Sequence, residues 1–347
     1  MPEDHPELGR GEAIMYDITA FGELLIDYTP AGKSPSGMDL FEQNPGGAPA
    51  NVAVCAARLG LRAAFIGKVG ADMQGDFLRK TLQDAKVNTD GLISDENFFT
   101  TLAFVSLKED GERSFSFARK PGADTQIRRE DVNLSIIKSS RIFHFGSLSL
   151  TDSPARETAF FALDEAKKAG CVISYDPNYR PLLWKNKNQA MEQMRAVLPY
   201  ADIIKLSEEE TELLTGRQDP VAAAEHLIES GIKIAAVTLG KDGAMIATKN
   251  GYETVSGFSV HAVDTTGAGD AFFGAFLYSV IRLADRNASG TAAKLTEIIS
   301  EMEPAEIRES AKFANAAAAY CVTKRGAIPA MPLVSDVESI VNADTPQ

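Results

Sequence analysis

The segment RIFHFGSLSLTDSPARETAFFALDEAKKAGCVISYDPNYR, residues 141–180, decides the fold. It opens on a short apolar run, Ile142 to Phe145, continues with a helix-period stretch from Pro154 to Ala169, and returns to a second apolar run, Val172 to Asp176. Strand, helix, strand is the pattern, and it repeats downstream. Gln189–Leu198 and Ala222–Ser230 are predicted helices, and Asp202–Leu206 and Ile234–Leu239 predicted strands. Such alternation predicts an α/β protein: a mostly parallel central sheet with helices on both faces, three layers in all. Ligands of such sheets sit beyond the carboxyl ends of the strands. Polar clusters fall at those ends: Asp176-Pro177-Asn178-Tyr179-Arg180, Lys205 to Glu210, and Thr238 to Gly243.

Toward the N-terminus, Ile18 to Ile26 is predicted as a buried first strand, interrupted by Glu23 and Asp27, each of which also fits a strand-end residue facing solvent. Tyr28 to Phe41 holds several Pro and Gly residues and leaves the sheet pattern. Asn44 to Asn51 then opens a helix through Leu59, with Pro49 in the first turn and Gly60 as its stop. Ala63–Val69 is a predicted strand and Gly75–Ala85 a predicted helix. Thr101–Leu107 and Arg113–Phe117 alternate around Glu109-Asp110-Gly111, a hairpin signal. Segments at about 28–44 and 99–120 are therefore read as insertions forming a small second sheet. That sheet is either a lid that keeps water from a reactive site or surface decoration.

Toward the C-terminus, Tyr252–Val263 is predicted as a strand and Ala271–Ile281 as a helix. Asp264-Thr265-Thr266-Gly267-Ala268-Gly269-Asp270 joins them. The unpaired amides and dipole of a helix N-terminus hold anions, yet Asp270 places a carboxylate there. Two readings stand. Asp270 takes the proton of a hydroxyl attacking a phosphoryl group while Gly267, Ala268 and Gly269 hold the developing charge, or the stretch is a glycine turn with a well-placed first-turn acid. Asn287 to Ile299 is expected to be a linker, and Ala305–Val322 an Ala-rich helix.

The chain has 347 residues, a net charge of −13 and a pI near 4.9, which argue against nucleic acid or an anionic membrane as partner. Residues 1–14 are polar and without period, an expected disordered leader, so that 15–347 would form a single domain. Cys55, Cys171 and Cys321 are odd in number and embedded in apolar runs, which predicts reduced core thiols. No run of 18 apolar residues and no signal-peptide pattern is present, so a cytoplasmic location is expected.

Several stretches together resemble the ribokinase-like, or PfkB, carbohydrate kinases, and most closely fructokinases. The N-terminal signature is similar to Gly46-Gly47-Ala48-Pro49-Ala50-Asn51-Val52-Ala53 and the C-terminal one to Asp264–Asp270. Phe143–Leu150, Asp176–Trp184 and Asp202–Glu210 lie between them. The resemblance runs from about Tyr16 to Pro332 and implies an ATP-dependent sugar kinase with a lid. Asp270 would be the base and Gly267, Ala268 and Gly269 the anion hole. Asp27, Gly46, Gly47 and Asn51 would grip the sugar, with Ala103, Phe117 and Arg119 on the lid side. Lys205, Ser207, Thr238, Gly240 and Gly243 would line ATP, Asn315 and Ala318 its adenine, and Asp176, Asn178 and Arg180 are further phosphate or substrate candidates. Glu210 would place Mg²⁺ through water. Asp264 and Thr266, with carbonyls of Cys321, Lys324 and Gly326, match a potassium site. Ser207 replaces the asparagine of the family's Asn-x-x-Glu motif, and Ala330 replaces a hydroxyl near that ion. Fructose is the expected acceptor and 2-keto-3-deoxygluconate the runner-up, with Arg119 and Arg180 available to its carboxylate. A non-catalytic sugar-binding regulator is the reading from another class, and a dinucleotide dehydrogenase is a weaker third because no G-x-G-x-x-G follows the first strand. A lid-mediated homodimer is also expected.

Overall fold

The computed structural model describes residues 16–107, 113–287 and 292–343. In chain order the elements are β1 (Tyr16–Phe21), β2 (Leu25–Lys33), β3 (Asp39–Gly46), α1 (Ala48–Arg58), β4 (Ala63–Gly70), α2 (Met73–Asp84), β5 (Val87–Asp95), β6 (Leu102–Leu107), β7 (Arg113–Ala118), α3 (Leu134–Lys138), β8 (Ser140–Gly146), α4 (Ala155–Lys168) and β9 (Val172–Asp176). They continue with α5 (Lys187–Ala196), β10 (Ile203–Ser207), α6 (Glu208–Thr215), α7 (Pro220–Glu229), β11 (Ile234–Thr238), β12 (Ala244–Thr248), β13 (Gly251–Val255), α8 (Ala268–Asn287), α9 (Ala292–Glu301), α10 (Pro304–Val322) and α11 (Val334–Ala343).

Nine strands form one sheet in the order β13-β12-β11-β10-β9-β8-β1-β4-β5. From β11 to β5 every pairing is parallel, and β12 and β13 extend the edge antiparallel. Side chains alternate across this sheet as the pleat requires. Ile18, Ile142, Val172, Ile203 and Ile234 enter a core with α1, α8 and α10, while Phe143, Phe145, Ile173, Ile204 and Val237 enter a second core with α4, α5 and α7. Both faces are apolar because both are covered, which is why the strands read as continuous apolar runs. Phe272, Phe273, Phe276, Val280 and Ile281 of α8 are all buried, each worth about 1.5–3 kcal/mol of burial, so this inner helix is firmly seated. The start of α8 is thus a rigid place for chemistry.

The four-stranded second sheet runs β3-β2-β6-β7. The two inserted segments join through a short parallel pairing, Ile26–Tyr28 with Leu102–Phe104.

Three expectations from sequence are corrected. The run Ile18–Ile26 is two strands in two sheets: β1 ends at Phe21 and Leu25 begins the second sheet. Glu23, between them, is 3% exposed, buried instead of facing solvent. The predicted strand Tyr252–Val263 ends at Val255, and residues 256–267 return as a loop to the start of α8, Val263 donating its N–H to Val322 O at 2.7 Å. Within the expected linker Asn287–Ile299 lies α9, whose Leu295 and Ile299 are buried in the main core. The turn Glu109-Asp110-Gly111 and the leader 1–14 lie outside the described residues.

Candidate active site

A cleft of about 790 Å³ opens where the carboxyl ends of the central strands face the second sheet. Its floor is the turn into α8. Gly267 sits there at φ 80°, and a Cβ on it would come 2.8 Å from the Ala327 Cβ, so only glycine fits. Asp264 ties the turn shut: its Oδ1 accepts from the Thr266 N–H (3.0 Å) and hydroxyl (2.7 Å), and its Oδ2 accepts from the Gly326 N–H at 3.1 Å. Thr266 O in turn lies 3.7 Å from Cys321 Sγ. The five residues expected around a monovalent cation thus gather at this turn or at the end of α10 and the loop after it. Cys321, Lys324 and Ala330 lie outside the cleft wall, behind the loop.

In the first turn of α8, Asp270 reaches the cleft and accepts from Asn51 Nδ2 at 2.7 Å. Asn51 comes from α1, which starts at Ala48 because Gly47, at φ 115°, packs where a Cβ would be 2.4 Å from Glu23 O. Burial raises the Asp270 carboxyl above its ordinary value, opposed by the Lys205 charge, the Asn51 bond and Arg180.

Lys205 lies near the end of β10, its side chain directed to the α8 side. Its Nζ donates to Asp176 Oδ2 at 2.7 Å, and a Cβ on Gly269 would meet it at 3.1 Å, so the ammonium stands at the glycine turn. Burial would lower this ammonium, but Asp176, Glu210 and Asp270 hold it above its ordinary value. Asp176 Oδ1 accepts from the Asn178 N–H at 3.2 Å and so shapes the turn that brings Arg180 to the cleft mouth. Asp27, from β2, lies over Gly46, where a Cβ would meet its Oδ2 at 2.5 Å. Burial pushes its carboxyl up to about 6, with Arg180 opposing and Asp270 and Asp264 adding.

Of the residues expected from sequence, Asp27, Gly47, Asn51, Phe117, Asn178, Arg180, Lys205, Ser207, Thr238, Asp264, Thr266, Gly267, Gly269, Asp270 and Gly326 line this cleft together. Ala103 lies one step behind, buried in the row Asp27–Ala103–Phe117 across the second sheet. Glu210 is turned to backbone: its Oε2 accepts from the Ser207 N–H at 2.8 Å, a capping box at the start of α6, and its Oε1 from the Tyr179 N–H at 2.6 Å. Asn315 of α10 donates to Val255 O (2.9 Å) and Ser256 O (3.1 Å), and Gly243 packs against the same Val255 O, so Gly243 and Asn315 meet at the end of β13; with Gly240 and the half-buried Ala318 of α10 they stay outside the cleft wall. Arg119 is placed elsewhere than expected: buried and ion-paired with Asp124, it does not line the cleft.

Sequence reading passed over Asn44, Val105, Leu148, Arg325 and Glu23, all in the cleft wall. Glu23 carried a signal, an acid inside an apolar run. Asn44 and Leu148 lay inside stretches already singled out, but nothing marked them individually, and Val105 and Arg325 carried no signal, because strands of the second sheet and loops meet the cleft only in three dimensions.

The model of the pfkB family carbohydrate kinases matches residues 15–333. A probable fructokinase-4 of Arabidopsis thaliana is 42% identical over 331 residues, 94% of this chain and 97% of that one. Among solved structures, the fructokinase of Xylella fastidiosa with bound ATP superposes with a TM-score of 0.83 at 37% identity, covering 94% of this chain and 98% of the other. The fructokinase of Vibrio cholerae O395 in its fructose, ADP and calcium ion bound form gives 0.80 at 35% identity, covering 94% and 99%. With its strand order, its inserted second sheet and its turn at Asp264–Asp270 all in place, the chain belongs to the pfkB family of carbohydrate kinases.

Proposed function

We propose that the chain transfers the γ-phosphoryl group of Mg·ATP to a primary hydroxyl of a hexose, converting D-fructose to fructose 6-phosphate. One observation carries this reading: Asp270, oriented by Asn51 at 2.7 Å, stands in the same cleft as the glycine turn and the Lys205 ammonium. A base, an anion hole and a counter-charge are what phosphoryl transfer to a hydroxyl needs. Relatives named fructokinase at 42% and 37% identity over nearly the full length support the choice of acceptor.

In this mechanism Asp27, Gly46, Gly47 and Asn51 hold the sugar against the lid residues Ala103 and Phe117. Asp270 Oδ takes the proton of the attacking hydroxyl. The N–H groups at Gly267–Gly269 and the Lys205 ammonium meet the negative charge moving onto the transferred group, and Asp176 keeps Lys205 in place. Ser207 and Thr238 border the nucleotide, with Gly240, Gly243, Asn315 and Ala318 beyond them. Magnesium bound to the nucleotide adds positive charge at the phosphates. Magnesium would arrive on ATP and keep most of its waters, and Glu210, whose oxygens accept from the Ser207 and Tyr179 N–H groups, would reach it through water. The loop tied by Asp264 and Thr266, with carbonyls of Cys321, Lys324 and Gly326, would hold a monovalent cation whose charge would order the glycine turn.

An ADP-release assay over fructose, mannose, ribose, adenosine and 2-keto-3-deoxygluconate tests the reading. Fructose is expected to give the highest kcat/KM. With Arg119 paired to Asp124, 2-keto-3-deoxygluconate keeps one of its two candidate cations, Arg180. Sugar binding without ADP release would replace the kinase by a non-catalytic sugar-binding protein.

No described helix is long and apolar enough to cross a membrane, and we place the protein in the cytoplasm, where its three buried free thiols stay reduced. On the lid, Met38, Leu40, Phe41 and Phe104 are exposed, 39–67% each, and a second copy of the chain covers them in a homodimer, to be read from the mass in solution.

A further inference from the structure

The lid meets the body at four crossings: residues 22–24 before β2, Gly47–Ala48 after β3, Thr100–Thr101 before β6 and 119–124 after β7. One buried cluster touches all four. Glu23 Oε1 accepts from the Ala48 N–H at 3.0 Å, joining the first crossing to the second. The Thr101 hydroxyl donates to Asp124 Oδ1, joining the third to the fourth. Arg119 Nε donates to Asp124 Oδ2 at 2.8 Å, Nη1 donates to the Thr151 hydroxyl and Nη2 to Leu148 O, both at 2.9 Å, which fastens the fourth crossing to the body beyond β8. Between the two halves the Ile26 N–H donates to Thr101 O at 3.1 Å, the Glu23 and Arg119 charges favour each other, and Glu23, Arg119, Asp124 and Thr101 are each at most 6% exposed. Glu23 Oε2 has no hydrogen-bond partner among the described residues.

The lid needs such a joint. Among the described residues its two halves share a three-residue backbone pairing, Ile26–Tyr28 with Leu102–Phe104, and contacts of the Phe104 ring with Tyr28 and Phe41, yet each supplies one side of the sugar wall, Asp27 from the first half and Val105 and Phe117 from the second. Halves that moved separately would leave the cleft open to water.

We propose that Glu23, Thr101, Arg119 and Asp124 form a hinge block that couples the two halves of the lid, so that both strand pairs close over the sugar as one body. This rests on the kinase reading for its purpose, and the four are positioning residues, acting through the lid. Burial, with Asp124 adding and Arg119 opposing, pushes the Glu23 carboxyl up to about 7, so near neutrality the block sits between a balanced state and one with an excess negative charge.

Hydrogen exchange on the ligand-free protein and steady-state kinetics together test the block, in Arg119→Met and in the milder Thr101→Val. Arg119→Met is expected to speed exchange of β2 and β3 amides together with those of β6 and β7 by roughly tenfold, with β8 to β11 unchanged. KM for fructose should rise roughly tenfold and ATP consumed per sugar phosphorylated should increase, while nucleotide affinity without sugar holds. Thr101→Val, which deletes one hydroxyl, should give the same pattern at roughly threefold and keeps the test in force if Arg119→Met does not fold. Acceleration confined to residues 102–124, or spread evenly through the protein, overturns the hinge. The exchange readout needs no turnover, so a parent that phosphorylates no sugar refutes the kinase reading while the hinge is still decided by exchange.

Discussion

Two clusters of buried charge lie on either side of the cleft, and they are built alike. The body cluster joins Asp176, Glu210 and Asp270 to one ammonium, Lys205; the lid-root cluster joins chiefly Asp124 and Glu23 to one guanidinium, Arg119. They differ in where the remaining hydrogen-bonding capacity points. Nε, Nη1 and Nη2 of Arg119 all donate to protein acceptors. Lys205 carries three N–H donors, gives one to Asp176, and lines the cleft beside Gly269. A buried ion pair becomes a reaction site when its cation keeps donors toward open space, and a joint when it does not.

Replacing each cation separates the two cases. Lys205→Met leaves Asp176 as a buried carboxylate without its partner, expected to cost about 3–5 kcal/mol in urea unfolding. Adding Asp176→Asn should recover most of that stability and none of the turnover, because the charge at the glycine turn stays absent. Recovery of turnover in the double variant would show that Lys205 serves only the fold.

A smaller effect distinguishes the lid root by pH. The Glu23 carboxyl is pushed up to about 7 from an ordinary 4.5. A raised carboxyl contributes stability that is whole below pH 4.5 and lost as pH rises through about 7. By pH 8 the loss approaches roughly 3 kcal/mol. Glu23→Gln should therefore match the parent near pH 4, gain on it from about pH 4.5 to about 7, and level off by pH 8. A gap between the two that stays constant from pH 4 to 8 would show that Glu23 is not held protonated. The smallest effect belongs to Lys33–Asp39 at the outer lid, with side chains 66% and 70% exposed. Lys33→Ala should change stability by less than about 0.5 kcal/mol, and a larger change in urea unfolding would mean that the lid is covered in solution.

How legible each region was follows the same line. The body was readable because its strands are apolar on both faces and its helices amphipathic, so 141–239 announces its own alternation, and Asp264–Asp270 gathers its chemistry in seven consecutive residues. The lid root was not. Phe21, Leu24, Leu25 and Ile26 are all buried, so apolar residues continue on both sides of the point where the chain leaves one sheet for another, marked only by Gly22 and Glu23. Arg119 looks like a substrate cation in sequence because nothing in its neighbourhood says that Asp124 folds back onto it. The missed helix α9 did carry a signal, Leu295, Ile298, Ile299 and Met302 at helical spacing, masked by the polar start of the segment.

The central claim is that Asp270 removes a proton from the sugar. Its most direct test is turnover of Asp270→Asn with saturating ATP and fructose, beside calorimetric titration of both ligands. Asparagine keeps the shape and removes the charge at a site where burial already disfavours it, so the fold and the affinity for ATP should hold while kcat falls by about 10²–10⁴. A variant that binds both ligands and turns over within about tenfold of the parent would contradict the account.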